Sequence, residues 1–386
     1  MDIETFRQGM SVVNDFVYLN HAANGPLHDE VIQLIHKIAE YQLFGDVNLL
    51  YDDLHNGFSV VKNPISKLIN CTEDEIALTS QTAHGIALVL ESLNWSKYSK
   101  KRIIIDDLEF TTNSFAYQQI QKKFGIKLHV IKNQNGSLDL DDYEKVLKSK
   151  DIKLVGISHV QFTNGFKTNI KKLHELTNKY GSYLLVDAIQ SCGALQIDSH
   201  DADFIAVGSQ KWCLGPLSTG FLYLKQDIQK ELEPIFVSAS SDQKPLEFVH
   251  HEFHPHKNAN KFQAIFNPNF LALGKSIEML NGIGISNIEN KVLKLTDYLV
   301  ERINEIPELK VDSNRELEHK SGIVRIITSN KTTNLENIVK ELREKYKIIV
   351  SFRNKGLRVS PHFYNNQEEI DKFITVLKSI LNNYLN

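Results

Sequence analysis

Between residues 101 and 225 the chain repeats one pattern, a short apolar run followed by a longer stretch with helical spacing. The runs fall at 102–105, 127–131, 153–158, 183–186, 204–207 and 220–224, and an earlier one at 76–79 feeds a helical segment at 81–93. Apolar runs of this length suit strands buried on both faces. The stretches between them, such as Ile170, Leu173 and Leu176 ahead of Tyr180-Gly181, carry one apolar face and are long enough to cross over a sheet. The pattern predicts a doubly wound α/β domain with a mostly parallel, seven-stranded sheet between helices. Ligands of such domains bind outside the carboxyl ends of the strands.

A chain of 386 residues suits two domains. Helices are expected upstream at 29–44 and 63–68. After a polar stretch at 238–269, helical spacing resumes at 270–280, 288–306, 334–345 and 367–385, with strands at 322–328, 348–352 and 357–360. This mixture predicts a smaller α+β domain. The expected division is a large domain over 15–255 and a small one from 1–14 with 256–386, the amino-terminal segment packing near the active site.

Charge and composition exclude several function classes. The net charge is −3 and no basic stripe is interleaved with aromatics, so no nucleic-acid partner is expected. No apolar window of spanning length and no signal-like amino terminus is found, so no membrane association is expected. Cys71, Cys192 and Cys213 form neither a disulfide framework nor a metal-ligand spacing, which fits a reducing cytoplasm. Imidazoles at His250, His251, His254 and His256 suit a metal, but their spacing fits no closed site and Pro255 marks a loop over the active-site mouth. No metal is expected.

The chemistry lies at two neighbouring strand ends. Asp187 closes the run Leu184-Leu185-Val186, and Lys211 follows the run Phe204-Ile205-Ala206-Val207-Gly208. A carboxylate that holds a ring nitrogen protonated and an amine that forms an imine are what a pyridoxal 5'-phosphate site needs. Taken singly, a strand-end aspartate is a helix cap and a lysine after a strand lies on the surface. Thr79-Ser80-Gln81-Thr82-Ala83-His84-Gly85 adds free amides at a helix start, an anion site or an ordinary capping turn.

With Val186-Asp187…Gln190, Ser209-Gln210-Lys211-Trp212, Glu109-Phe110-Thr111-Thr112-Asn113 and Leu357-Arg358-Val359-Ser360, the sequence resembles the class V aminotransferase family of fold-type I pyridoxal phosphate enzymes. That group includes cysteine desulfurases, cystine lyases and isopenicillin-epimerase-like proteins, and the likeness runs from Tyr18-Leu19-Asn20 to Gln367-Glu368-Glu369. The resemblance implies that Lys211 is the imine-forming lysine, that Asp187 pairs with the pyridinium nitrogen and that Gln190 bonds the ring's 3-oxygen. It places Gln81, Thr82, Ala83, Ser209 and Gln210 around the phosphate, with Thr82 the expected hydroxyl, and Phe110 over the ring. Arg358 is implied to clamp the substrate carboxylate, with Ala22, Ala23 and Asn24 lining the same pocket. A homodimer with the active site near the subunit interface is also implied.

The sequence departs from the family pattern at several positions. Gln81 replaces a small residue, Ala83 a threonine, and Gly208 a phosphate-binding serine, so that Ser209 or Gln210 must compensate. Ile265-Phe266 replaces a Gly-Thr pair that reaches the partner's phosphate, leaving main chain and Asn267 to remake that contact. Desulfurases that pass sulfur on as a persulfide carry a cysteine shortly before the clamp arginine, and 349–357 holds none. Cys192 is read as packing.

The expected function is chemistry at the α-carbon of a small L-amino acid by transamination or by β-elimination from a cysteine- or cystine-like substrate. An epimerase, a persulfide-type desulfurase and a degenerate homologue acting as a binding subunit remain as alternatives. Arg353 reads either as a contact for a second substrate carboxylate or as a surface charge.

Overall fold

The computed structural model describes residues 1–45, 58–99, 101–149, 151–244, 252–263, 265, 267–328 and 334–385. After a short strand near the amino terminus, β1 (Val17–Tyr18), seven strands build the large sheet: β2 (Ile76–Thr79), β3 (Arg102–Asp106), β4 (Lys127–Ile131), β5 (Ile152–Ser158), β6 (Tyr183–Asp187), β7 (Phe204–Gly208) and β8 (Gly220–Leu224). Their order is β2-β8-β7-β6-β5-β3-β4. Only β8 runs antiparallel to its neighbours; the other pairs are parallel. Strands β5, β7 and β8 are buried at every residue, because helices cover both faces. The helix Thr82–Ser92 lies close on this sheet because Gly85 has no side chain, and a Cβ there would meet Ala206 Cβ at 3.1 Å.

The second sheet is antiparallel, in the order β12 (Ser351–Arg353), β13 (Gly356–Val359), β10 (Val324–Thr328), β9 (Leu309–Val311). Its core combines Val324, Ile326, Leu357 and Val359 with Leu299, Ile338, Phe373 and Leu377 of the flanking helices. The amino-terminal segment belongs with this lobe: β1 pairs in parallel with β11 (Ile348–Ile349), and Asn20 bridges to Ser360. Val17 and Leu19 accordingly sit in the small lobe's apolar cluster.

Three sequence expectations change here. The run 348–352 is two strands that part at Val350, β11 pairing with the amino terminus and β12 with β13. Helix Asn269–Ile283, expected in the small domain, buries Phe270, Leu273 and Ile277 in the large domain's core. Residues 15–20, expected in the large domain, begin with the strand that joins the small lobe. Hydrophobic periodicity gives a helix or strand its apolar face but not the core that receives it.

Candidate active site

The strand ends of the large sheet form the floor of a cavity of about 280 Å³. Asp187 ends β6 and stands beside Ser158, the last residue of β5. Its carboxylate is buried, accepting hydrogen bonds from Asn113 Nδ2 (2.7 Å) and the Ile189 amide (2.9 Å). The same Asn113 amide donates to Glu109 Oε2 at 3.1 Å, and Ser158 donates to Glu109 from Oγ (2.9 Å) and from its backbone N–H. Burial raises the Asp187 pKa, against the hydrogen bonds from Asn113 and Ile189 and the charge of Lys211. Burial and the charges of Asp106 and Asp187 hold Glu109 well above the carboxylate range, and burial lifts Asp106 to about 6. A carboxylate so deeply desolvated is best stabilised by a cationic partner.

Lys211 follows β7 and reaches the cavity above this floor. Desolvation brings its amine down to about 8; Asp187 opposes that shift, while Arg358 and Arg353 reinforce it. Its Nζ makes no hydrogen bond to any described residue and lies 5.9 Å from the centre of the Phe110 ring. The main chain at Lys211 is held by the amino-terminal segment, since Gly25 N–H donates to Gln210 O at 2.7 Å and a Cβ on Gly25 would lie 2.1 Å from Lys211 O. Gln190 is fixed at both ends of its amide, donating to Ala22 O (3.0 Å) and accepting from the buried Trp212 Nε1 (3.0 Å).

The helix Thr82–Ser92 points its amino terminus at one end of the cavity, where first-turn amides have no intrahelical acceptor. Thr82 Oγ1 and Gln210 Oε1 are buried there without a hydrogen-bond partner. A Cβ on Gly208 would lie 2.8 Å from Gln210 Oε1 and 3.0 Å from Thr82 Oγ1, so these two side chains fill the room that a side chain at 208 would take. Ser209 does not join them. Strand alternation turns it to the opposite face of the sheet, where its hydroxyl bonds Thr219 Oγ1 (2.6 Å) and the carbonyls of Pro216 and Thr219.

The far wall comes from the small lobe. Arg358, on β13, is 2 % exposed and donates to Ser351 Oγ (3.2 Å) and Phe162 O (2.7 Å). Burial and Arg353 bring its pKa down to about 9, and no described carboxylate pairs with it. Phe162 packs edge-on against Phe110 with ring centres 5.1 Å apart, closing the space between floor and wall.

The structure thus brings Gln81, Thr82, Ala83, Phe110, Asp187, Gln190, Gln210, Lys211, Ala22, Ala23 and Arg358 to one cavity. It does not bring Ser209, nor Asn24, which is exposed and bonds Gly25 O. Asn113, Ser158, Phe162 and Trp212 also line or support this site, and no local pattern in the sequence marks them. Ile265 packs against the large core, while Phe266, His250 and His251 lie outside the described residues. Cys192 and Cys213 are buried, with the Cys213 thiol donating to Cys192 O at 3.2 Å, and Cys71 packs against the same core. No cysteine lines the cavity.

These residues fit pyridoxal 5'-phosphate. An unpaired buried hydroxyl at a helix amino terminus suits its phosphate, a buried carboxylate suits a protonated ring nitrogen, and an amine with a lowered pKa suits its aldehyde.

Comparison with known proteins gives the family and the fold. The family model for aminotransferase class-V matches residues 17–373. A probable cysteine desulfurase of Methanothermobacter thermautotrophicus is 26% identical over 413 residues, covering 98% of each chain. The uncharacterized aminotransferase YcbU of Bacillus subtilis is 24% identical over 372 residues, covering 95% of each. Among solved structures, the apo cysteine desulfurase of Thermococcus onnurineus superposes with a TM-score of 0.86 at 22% identity, covering 98% of both chains. The cystine C-S lyase C-DES, solved with its product cysteine persulfide, gives 0.84 at 19%, covering 95% of this chain and 98% of that one. The architecture is therefore that of fold-type I pyridoxal phosphate enzymes.

Proposed function

This chain belongs to the class V aminotransferase family of pyridoxal-phosphate-dependent enzymes, and we propose that within it the protein is a C–S lyase that eliminates sulfur from a cysteine- or cystine-like amino acid without an enzyme-bound persulfide. The observation that carries this reading is a complete amino-acid site with no thiol in it. The relatives named cysteine desulfurase and cystine C-S lyase supply the substrate class, and the cysteine-free segment 349–357 disfavours sulfur relay through the protein.

Bound here, pyridoxal phosphate supplies an aldehyde for an amino group and a conjugated ring that withdraws electrons from the substrate's α-carbon. Thr82 Oγ1, the first-turn amides at Thr82 and Ala83, and Gln210 once it turns its Nε2 inward would hold the phosphate. Asp187, steadied by Asn113, would hold a proton at the ring nitrogen, with Gln190 for the ring's oxygen and Phe110 as an apolar wall for the ring. Arg358 grips the substrate carboxylate in a fork geometry, which fixes the bond to be broken at the α-carbon. Lys211, neutral in useful amount near pH 8, takes the α-proton, after which the Cβ–S electron pair departs on sulfur. Phe162 and Phe110 limit water at the reacting centre.

The exposed apolar residues Leu43, Phe44, Leu217, Ile235, Phe236 and Phe253 support a homodimer. No helix among the described residues is long and apolar enough to cross a membrane, and three unpaired cysteines support a cytoplasmic setting.

The test is product analysis of the holoenzyme with L-cysteine and L-cystine. Pyruvate formed without any keto-acid acceptor, together with sulfide or persulfide, is expected. Turnover that requires an added keto acid would make the protein an aminotransferase instead, and light scattering that reads a monomer would remove the dimer.

A further inference from the structure

The catalytic cavity borders a second, larger space. A polar cleft of about 1170 Å³ runs between the strand-end turns of the large domain and the small lobe's sheet, and Phe162 and Arg353 line both spaces. Of the other basic residues in this cleft, Arg315 is paired with Asp297 and Arg325 with Asp312, while Lys310 lines only the cleft. Arg353 has no carboxylate within ion-pair distance among the described residues; its Nη1 donates at 2.9 Å to Phe352 O, the carbonyl of the preceding residue.

The register of the hairpin explains why Arg353 faces the active site. Ser351 of β12 stands opposite Arg358 of β13, so Arg353, two residues along, shares the face of Arg358 as its diagonal neighbour, roughly 7–8 Å away. Two guanidiniums therefore face one cavity, neither within ion-pair distance of a described carboxylate, and the charge of Arg353 depresses the pKa of both Arg358 and Lys211. Such an arrangement is relieved by a ligand with two separated negative charges.

We propose that Arg353 is a second carboxylate site at the junction of cavity and cleft, and that the substrate is a β-substituted alanine whose leaving half bears its own carboxylate, a disulfide- or thioether-linked pair of amino acids. This rests on the β-elimination reading above. Arg358 takes the carboxylate of the reacting half, Arg353 takes that of the departing half, and the cleft has room and polar side chains, such as Asn135 and Asn314, for the rest of it. In the reaction Lys211 accepts the α-proton and the Cβ–S bond breaks with its electron pair on sulfur. The departing half leaves as a persulfide from a disulfide, or a thiol from a thioether, and water converts the remaining three carbons to pyruvate and ammonium. No oxidant or reductant is consumed.

The test compares the holoenzyme with Arg353→Ala and Arg353→Lys on L-cystine and on β-chloro-L-alanine, whose leaving group has no carboxylate. The ratio of kcat/KM for L-cystine to that for β-chloro-L-alanine is expected to fall roughly ten- to a hundredfold in the alanine variant, through KM, and to recover in part with lysine. An unchanged ratio, whether both substrates suffer equally or neither does, overturns the proposal. If the unmodified enzyme turns over neither substrate, the elimination reading fails, and calorimetric binding of L-cystine against L-alanine decides the site by itself. A preference for L-cystine that disappears in Arg353→Ala upholds it, and equal affinities in the unmodified enzyme overturn it.

Discussion

The floor and the far wall of the cavity carry opposite charge and are built differently. The floor gathers Asp106, Glu109 and Asp187 at the ends of parallel strands, where neutral donors such as Asn113 and Ser158 hold the carboxylates in place. The wall places Arg358 and Arg353 on an antiparallel hairpin, where Arg358 meets only a hydroxyl and a carbonyl. A direct pair between Asp187 and Arg358 would quiet both charges. Keeping them apart leaves one sign for a cationic ring and the other for an anionic substrate, at a cost in desolvation that the surrounding fold must offset. Lys211 stands between, its amine pushed down first by burial, held up by Asp187 and lowered further by both arginines.

The largest effect should come from removing the residue that both sides act on. Lys211→Ala is expected to lower turnover at least about a thousandfold, the range of general acid–base catalysis, with loaded protein still folded by circular dichroism. On the wall, Arg358→Ala should raise KM roughly a hundredfold, as the loss of a charge-assisted fork implies, with a smaller change in kcat. A fall in kcat alone would move Arg358 from substrate binding to another role and break the comparison.

On the floor, Asp106 probes the cost of burying a carboxyl. Its pKa is raised from 3.8 to about 6, so the native state prefers the neutral form; that stability is present in full below about pH 4 and is lost as pH rises through 6. Asp106→Asn should therefore stabilise the protein at pH 8 by up to roughly 3 kcal/mol and give nothing at pH 4. Chemical unfolding at the two pH values checks this, and a pH-independent effect would show that burial does not penalise the charged carboxylate there.

A smaller effect sharpens the contrast. The rate at which the apo protein takes up pyridoxal phosphate should rise with pH around a midpoint near 8, where Lys211 loses its proton. Asp187→Asn removes a charge that raises this pKa and should move the midpoint down; Arg358→Ala removes one that lowers it and should move the midpoint up. Shifts in the same direction would show that the two sides do not act oppositely on the amine. No change at all is expected from replacing Cys71, Cys192 and Cys213 together with serine or alanine at constant fold, read as pyruvate formation, because none of them lines the cavity.

Residues whose placement is set by one strand were legible in the sequence. Asp187 and Lys211 end or follow apolar runs of strand length, and both runs are strands of the large sheet. Ser209 was misplaced because motif position outweighed strand alternation, which sends it to the opposite face from Gly208. Asn113 and Trp212 were silent because their partners, Asp187 and Gln190, lie 74 and 22 residues away and no local pattern announces such a bond. The break at Val350 was hidden for a similar reason: the apolar run continues while its partner changes.

What the chain determines by itself is local and periodic: seven apolar runs, the crossover spacing between them, the helix start at Thr82 and the carboxylate and amine at adjoining strand ends. The tertiary structure alone decided that Gln210 and Thr82 fill the space over Gly208, that Val17 and Tyr18 pair with the small lobe's β11, and that Arg353 shares a face with Arg358. The physical reason is that side-chain periodicity is written into covalent geometry, whereas desolvation and charge depend on which distant residues close over a site.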